Sequence, residues 1–173
     1  MNSHTIWFTR ITTTPIGPLW VASNQVGLVA ISLWDDRDRF LSPLNKLADT
    51  ELVEDPHPLQ TVIDQLQQYL AGERQVFDLT IDWSRMSPFQ TSVLQAVHQI
   101  EYGRYLTYKD VAVKLGKPKA VRAVGRANAT NPMPLVIPCH RVLGGDGKLH
   151  GFSAPGGLET KAWLLRLEGS WLL

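Results

Sequence analysis

The chain has 173 residues, 44% of them hydrophobic, and a formal net charge of +1. These values suit one large folded domain or two small ones and exclude a disordered or collagen-like chain. No segment approaches the roughly twenty consecutive apolar residues of a membrane helix, and residues 1–10 lack a cationic stretch leading into an apolar run. A cytoplasmic protein without membrane association is therefore expected.

The near-neutral total conceals a segregation. Residues 1–82 hold five Lys/Arg against eleven Asp/Glu, and residues 83–173 hold twelve against five, giving nets of −6 and +7. A basic C-terminal half fits a polyanionic partner, because Lys and Arg near phosphates release condensed counterions. Two mutually attracting faces would produce the same counts.

In chain order, residues 7–13 and 19–24 read as strands flanking the turn formed by Pro15, Ile16, Gly17 and Pro18, and residues 27–34 read as a third. A small antiparallel sheet is expected. Leu59, Val62, Ile63, Leu66, Tyr69 and Leu70 recur at helical spacing over residues 58–71, with Gly72 placed to end that helix. Residues 76–81 alternate like a last strand or an extended linker, and a domain boundary is placed at Asp82, giving domains 1–82 and 83–173.

The second domain opens with Ser87 as N-cap, Pro88 in the first turn and Gln90 as the partner of a capping box, ahead of Phe89, Val93, Val97 and Ile100 on one face. Thr107 caps a second helix over residues 108–115, closed by Gly116, and Pro118 opens a third running to about Ala127. Two short helices joined by a Gly-containing turn make a helix-turn-helix. Apolar residues 135–137 lead to Pro138, Cys139, His140 and Arg141, a Gly-rich turn follows at residues 144–151, and a final helix spans residues 158–168. The fold class is thus α/β in the α+β sense.

The single cysteine, Cys139, excludes an internal disulfide and a thiolate zinc cluster, so its thiol is either a buried apolar filler or a reagent. Positive neighbours such as His140 and Arg141 lower a thiol pKa and raise the thiolate fraction. In an extended segment adjacent side chains diverge, so His140 would act on the sulfur through a water. In residues 120–128 (AVRAVGRAN), Ala123 and Ala127 lie four apart on one face with Arg122 and Arg126 beside them. Such a face suits either a minor groove about 6 Å wide or close packing against another helix. Tyr108 could be a core aromatic, Glu168 a surface carboxylate, and Asn131 before Pro132 a turn residue.

The run PCHRV (residues 138–142), preceded by NPMPLVI (residues 131–137), resembles the active-site segment of the O6-alkylguanine-DNA alkyltransferases. The resemblance covers residues 89–169 in order: Tyr102, Gly103 and Arg104; Thr107 and Tyr108; Arg122 to Gly125; the active-site run; and residues 156–168. In the N-terminal part it rests on the PIGPL turn (residues 15–19) and its strands.

This resemblance implies a ribonuclease-H-like N-terminal sheet and helix domain, followed by a mostly helical winged helix-turn-helix domain. It implies single-turnover transfer of a methyl or other alkyl group from O6-alkylguanine in double-stranded DNA to Cys139, with no cofactor. His140 and Glu168 match the groups that deprotonate the thiol, Asn131 the residue bracing the active-site loop, and Tyr108 the hydroxyl that assists the departing guanine. Arg122, Ala123, Arg126 and Ala127 match the minor-groove helix, Arg122 filling the stack vacated by the extruded base. Tyr108, Val142, Phe152 and Ser153 match the base pocket. The zinc-binding cysteines of some relatives are missing, so no metal is expected. A monomer is expected, with alignment of several copies along DNA left open.

Three other functions fit parts of the pattern. A damage-sensing module of the same family would lack the cysteine. A Cys–His hydrolase would need an oxyanion hole. A transcription regulator reading DNA through Arg122 and Arg126 would be served by a dimerisation segment, which the sequence does not display.

Overall fold

The computed structural model describes residues 4–46 and 50–170. It resolves into two compact units that meet in sequence between Arg85 and Met86. Among the described residues no helix is long and apolar enough to cross a membrane.

The first unit is built on four strands in the order β3-β2-β1-β4. Strands β1 (His4–Ile11), β2 (Leu19–Ser23) and β3 (Leu28–Ser32) form an antiparallel meander. The connection between β1 and β2 closes through Gly17, whose φ of 94° suits glycine. A fourth strand, β4 (Thr50–Glu54), lies parallel to β1, so the sheet is mixed rather than purely antiparallel. A parallel neighbour requires a crossover, and α1 (Arg37–Asn45) supplies it. The Asp36 carboxylate caps α1 by accepting from Arg39 N at 2.9 Å.

Phe40, Leu41 and Leu44 of α1 bury against Ile6, Phe8, Trp20, Ala22 and Val29. All of β2 is buried, and the turn at His57–Leu59 touches β1 and β2 at the entrance to α2 (Gln60–Leu70). Leu59, Val62, Leu66, Tyr69 and Leu70 are buried, and Ile63 is half-buried. Gly72, at φ 78°, ends the helix. Residues 76–81 form no strand beyond an isolated bridge of Ile81 to Leu28.

The second unit holds α3 (Pro88–His98), α4 (Tyr108–Lys114), α5 (Val121–Ala129) and α6 (Leu158–Leu167). Helices α3, α4 and α5 pack on one another through Val93, Leu94, Val97, Val111, Ala112 and Val124, all buried. Ser87 caps α3 as expected, but the Gln90 side chain does not close a capping box. Its amide instead donates to the Thr130 carbonyl and hydroxyl, both at 3.1 Å, tying α3 to the end of α5. The reciprocal box occurs at α4, between Thr107 and Asp110.

Helix α5 starts three residues later than the proline rule indicates. Pro118 sits in the turn that Ala120 N closes onto the Lys117 carbonyl, and Ala120 is the N-cap. The β structure of this unit is a two-residue parallel pair, β5 (Leu106–Thr107) with β6 (Val142–Leu143). That pair places the entrance to α4 next to the chain that follows Cys139.

Candidate active site and nucleic-acid interface

Residues 131–143 thread through the interior of the second unit, and all from Met133 onward are buried. Internal hydrogen bonds fix the path. Asn131 accepts from Met133 N at 3.0 Å through its side-chain oxygen and donates its amide to the Ile137 carbonyl at 2.8 Å, while Ile137 N reaches the Met133 carbonyl at 2.9 Å. Between these anchors Leu135 adopts φ 75° and is the one non-glycine residue with positive φ among those described. Such backbone costs on the order of 1–3 kcal/mol and persists only where the surroundings over-determine it.

Cys139–Arg141 form a turn of 3-10 helix, not the extended run expected from sequence. Alternation therefore does not set the side-chain directions there. Cys139 N donates to the Ile137 carbonyl at 2.8 Å, and the Asn128 amide on α5 donates to the Cys139 carbonyl at 3.3 Å. The thiol is buried. Burial pushes its pKa up, against opposing effects from the Asn131 side chain, the Lys161 charge and the neighbouring backbone.

Glu168, at the C-terminal cap of α6, is buried rather than a surface carboxylate. Its Oε1 lies 2.8 Å from His140 Nε2, and Arg141 donates Nε to Oε2 at 2.9 Å and Nη2 to Oε1 at 2.9 Å. Arg141 also donates Nη1 to the Ile100 carbonyl just after α3, and its guanidinium lies 5.8 Å from the Tyr102 ring centroid. Burial alone would raise the Glu168 carboxyl. Hydrogen bonds from His140 and Arg141, with the Arg141 charge, outweigh it and bring the pKa down to about 2.

The pKa of His140 is lowered, chiefly by burial and against the pull of Glu168. A neutral imidazole facing an ionised carboxylate, which can only accept, must carry its proton on Nε2. The basic lone pair is then at Nδ1, a tautomer fixed by an oriented carboxylate.

Tyr108, the first residue of α4, is half-buried. Burial and the nearby Cys139 raise its pKa, partly offset by the Asn128 side chain. Asn128 therefore bridges the helix-turn-helix and the cysteine turn. Val142 is wholly buried, Phe152 half-buried and Ser153 exposed, the last two on the run leading to α6.

On the outer side, Arg122, Ala123 and Arg126 are exposed, while Ala127 is buried. Together with Ser87, Phe89, Gln90 and Thr130 they line a groove of about 550 Å³ between α5 and the start of α3. The Lys117 ammonium lies 5.2 Å from the Phe89 ring centroid. The groove thus presents cations, hydroxyls and small side chains together, chemistry suited to a phosphate-sugar backbone.

The structure gathers Cys139, His140, Glu168, Tyr108 and Asn131 around one buried turn and sets the four α5 residues along a separate groove. Sequence reasoning passed over Asn128, the pairing of Arg141 with Glu168, and Lys161. A signal existed for the last. Lys161, Leu164, Leu165 and Glu168 follow helical spacing and are all buried, so the apolar stripe of α6 carries a charge at each end.

Two family models match the chain, "6-O-methylguanine DNA methyltransferase, ribonuclease-like domain" over residues 8–83 and "6-O-methylguanine DNA methyltransferase, DNA binding domain" over residues 88–170. The methylated-DNA–protein-cysteine methyltransferase of Salmonella typhimurium is 42% identical over 164 residues, covering 92% of this chain and 94% of its own. That of Methanosarcina barkeri is 40% identical over 155 residues, covering 90% and 92%. The Mycobacterium tuberculosis OGT solved in complex with DNA superposes with a TM-score of 0.80 at 37% identity, covering 95% of this chain and 93% of that one.

Proposed function

The chain belongs to the 6-O-methylguanine DNA methyltransferase family, and from that membership and the site geometry we propose that it repairs DNA by moving an alkyl group from O6-alkylguanine onto its own Cys139. The observation that carries this reading is the cysteine turn itself. The chain's single thiol is buried beside a histidine whose partner is an ionised, buried glutamate.

His140, as base at Nδ1, takes the thiol proton, directly or through a water, and Glu168 supports the imidazolium that forms. The thiolate attacks the alkyl carbon in line with the C–O6 bond. A C–S bond forms as the C–O bond breaks, and the guanine leaves with the bonding pair and gains a proton. The Tyr108 hydroxyl fits as that proton's donor, because a phenol is protonated at neutral pH and this one lies close enough to Cys139 to sense its charge. Asn131 holds the loop that carries the cysteine. The thioether product has no second nucleophile to cleave it, so each molecule acts once.

The protein binds DNA through its basic second unit as a monomer, with the exposed face of α5 in the minor groove. Arg122 and Arg126 meet phosphates or the vacated stack, Ala123 and Ala127 permit close approach, and the target base is extruded into a pocket formed by Tyr108, Val142, Phe152 and Ser153.

Intact-protein mass spectrometry after incubation with a duplex containing one O6-methylguanine tests the reading. A single methyl-sized gain, absent in Cys139→Ala, is expected. DNA binding with no gain in mass would overturn transfer and leave a damage sensor.

A further inference from the structure

Lys161 is one of the largest fully buried side chains in the protein, at 0% exposure. Buried ammonium groups are costly unless they are paired and hydrogen-bonded. From the first turn of α6, Nζ donates to the Val142 carbonyl at 2.7 Å and to the His150 carbonyl at 3.0 Å. One carbonyl lies just before the Gly-rich turn at residues 144–151 and the other near its end, so one cation ties both sides of it to α6. No carboxylate faces this ammonium among its described hydrogen bonds. Val142, whose carbonyl it holds, donates its own N–H to the Cys139 carbonyl, so the ammonium sits on the residue hydrogen-bonded to the cysteine, where its charge favours the thiolate.

We propose that Lys161 is a positioning residue for the acceptor thiol, its buried ammonium stabilising the Cys139 thiolate while fixing the strand and turn that follow the cysteine. This deepens the alkyl-transfer reading and rests on it. Glu168 is engaged by His140 and Arg141, so the anion created at Cys139 needs a different counter-charge. Lys161 approaches the cysteine turn from the start of α6 while Glu168 approaches from its end.

Burial lowers the Lys161 pKa to about 8, and the same burial raises the thiol. An ammonium and a thiolate buried in the same unit each favour the other's charged form. The other titratable groups at the turn are Tyr108 from α4, His140 and Arg141 from the turn itself, and Glu168 from α6.

The presence of one cysteine in the chain makes the test direct. The rate of Cys139 carbamidomethylation by iodoacetamide is followed by mass spectrometry from pH 5 to 11 for wild type, Lys161→Met and Lys161→Arg, without DNA. A nearby opposite charge typically moves a pKa by one unit or more, so Lys161→Met should hold about tenfold less thiolate at pH 7. Lys161→Arg, which keeps the cation, should restore most of it. A Lys161→Met profile that superimposes on wild type overturns the proposal, because a merely structural lysine would leave the thiol titration in place. If Lys161→Met does not fold, Lys161→Gln, whose amide can still donate to the two carbonyls without a charge, decides by the same comparison. A wild-type protein that gains no methyl from O6-methylguanine DNA, yet shows the shifted thiol in Lys161→Met, would sink the alkyl-transfer reading and leave the cation's effect on the thiol standing.

Discussion

Replacing Glu168 by glutamine tests the polar web around the cysteine turn. The carboxylate receives His140 and two nitrogens of Arg141 in a space with 0% side-chain exposure. Its pKa falls from an ordinary 4.5 to about 2. At about 1.4 kcal/mol per pKa unit, the native state favours the ionised form by about 3 kcal/mol. A second route reaches a similar figure, since breaking a buried ion pair costs about 3–5 kcal/mol by leaving the partner charge uncompensated. The sign follows from the depressed pKa. The stabilisation is fully present above pH 4.5 and is lost as pH falls toward 2.

Glu168→Gln should therefore lower the stability of the second unit by about 3 kcal/mol at pH 7 and remove this group's share of the acid dependence. Urea unfolding at pH 7 and pH 3, read by amide hydrogen exchange in α3 and α6, reports on that unit separately. The amide can also donate to His140 Nε2 and so disturb the tautomer that makes Nδ1 the base. Single-turnover transfer should then fall on the order of 10²-fold or more. A variant within about 1 kcal/mol of wild type at pH 7 would mean that the web contributes no more than a surface ion pair, and the reasoning would fail.

Tyr108→Phe should slow methyl transfer about 10²-fold while leaving the affinity for undamaged duplex unchanged; equal single-turnover rates would dismiss the phenol as proton donor. Arg122→Ala should weaken DNA binding and reduce the slope of log K against log salt by about one, measured by fluorescence anisotropy, and an unchanged slope would take Arg122 off the phosphates. Gly27→Ala places a methyl against the Thr80 carbonyl, 2.7 Å from its carbon, where Leu28 N and Asp82 N pair with residues 80 and 28. The first unit should lose about 1–3 kcal/mol, and an unaltered melting temperature would show that the backbone there moves aside freely.

Helices α2 and α3 were readable in the sequence because apolar periodicity and end signals agreed, with Gly72 closing one and Ser87 and Pro88 opening the other. Helix α1 was not readable. It carries Pro43 inside nine residues, and an internal proline ordinarily marks a break. Strand β4 (TELVE) has two glutamates and no fully buried position, so edge pairing to β1 rather than apolar alternation creates it. Cys139 and His140 stood out as neighbours in a motif. The Arg141–Glu168 pair, 27 residues apart, depends on how α6 returns to the turn, and no local pattern encodes that. Lys161 was one cation among many until its depth set it apart.

The path before the cysteine has a bearing on how the protein tolerates change in length. From Asn131 to Cys139 each bond spans a set number of residues, and Leu135 supplies a left-handed step within a closed count. One inserted residue would break that count and carry the thiol out of the turn that holds it. The turn after the cysteine is tied at its two ends, by Gly144 N to the Lys148 carbonyl and by Lys161 to the carbonyls of Val142 and His150, while Gly145, Asp146 and Gly147 are exposed. Efforts to reshape substrate range therefore have room for added residues downstream of Cys139, where a loop tip can lengthen without moving the sulfur, and none upstream of it.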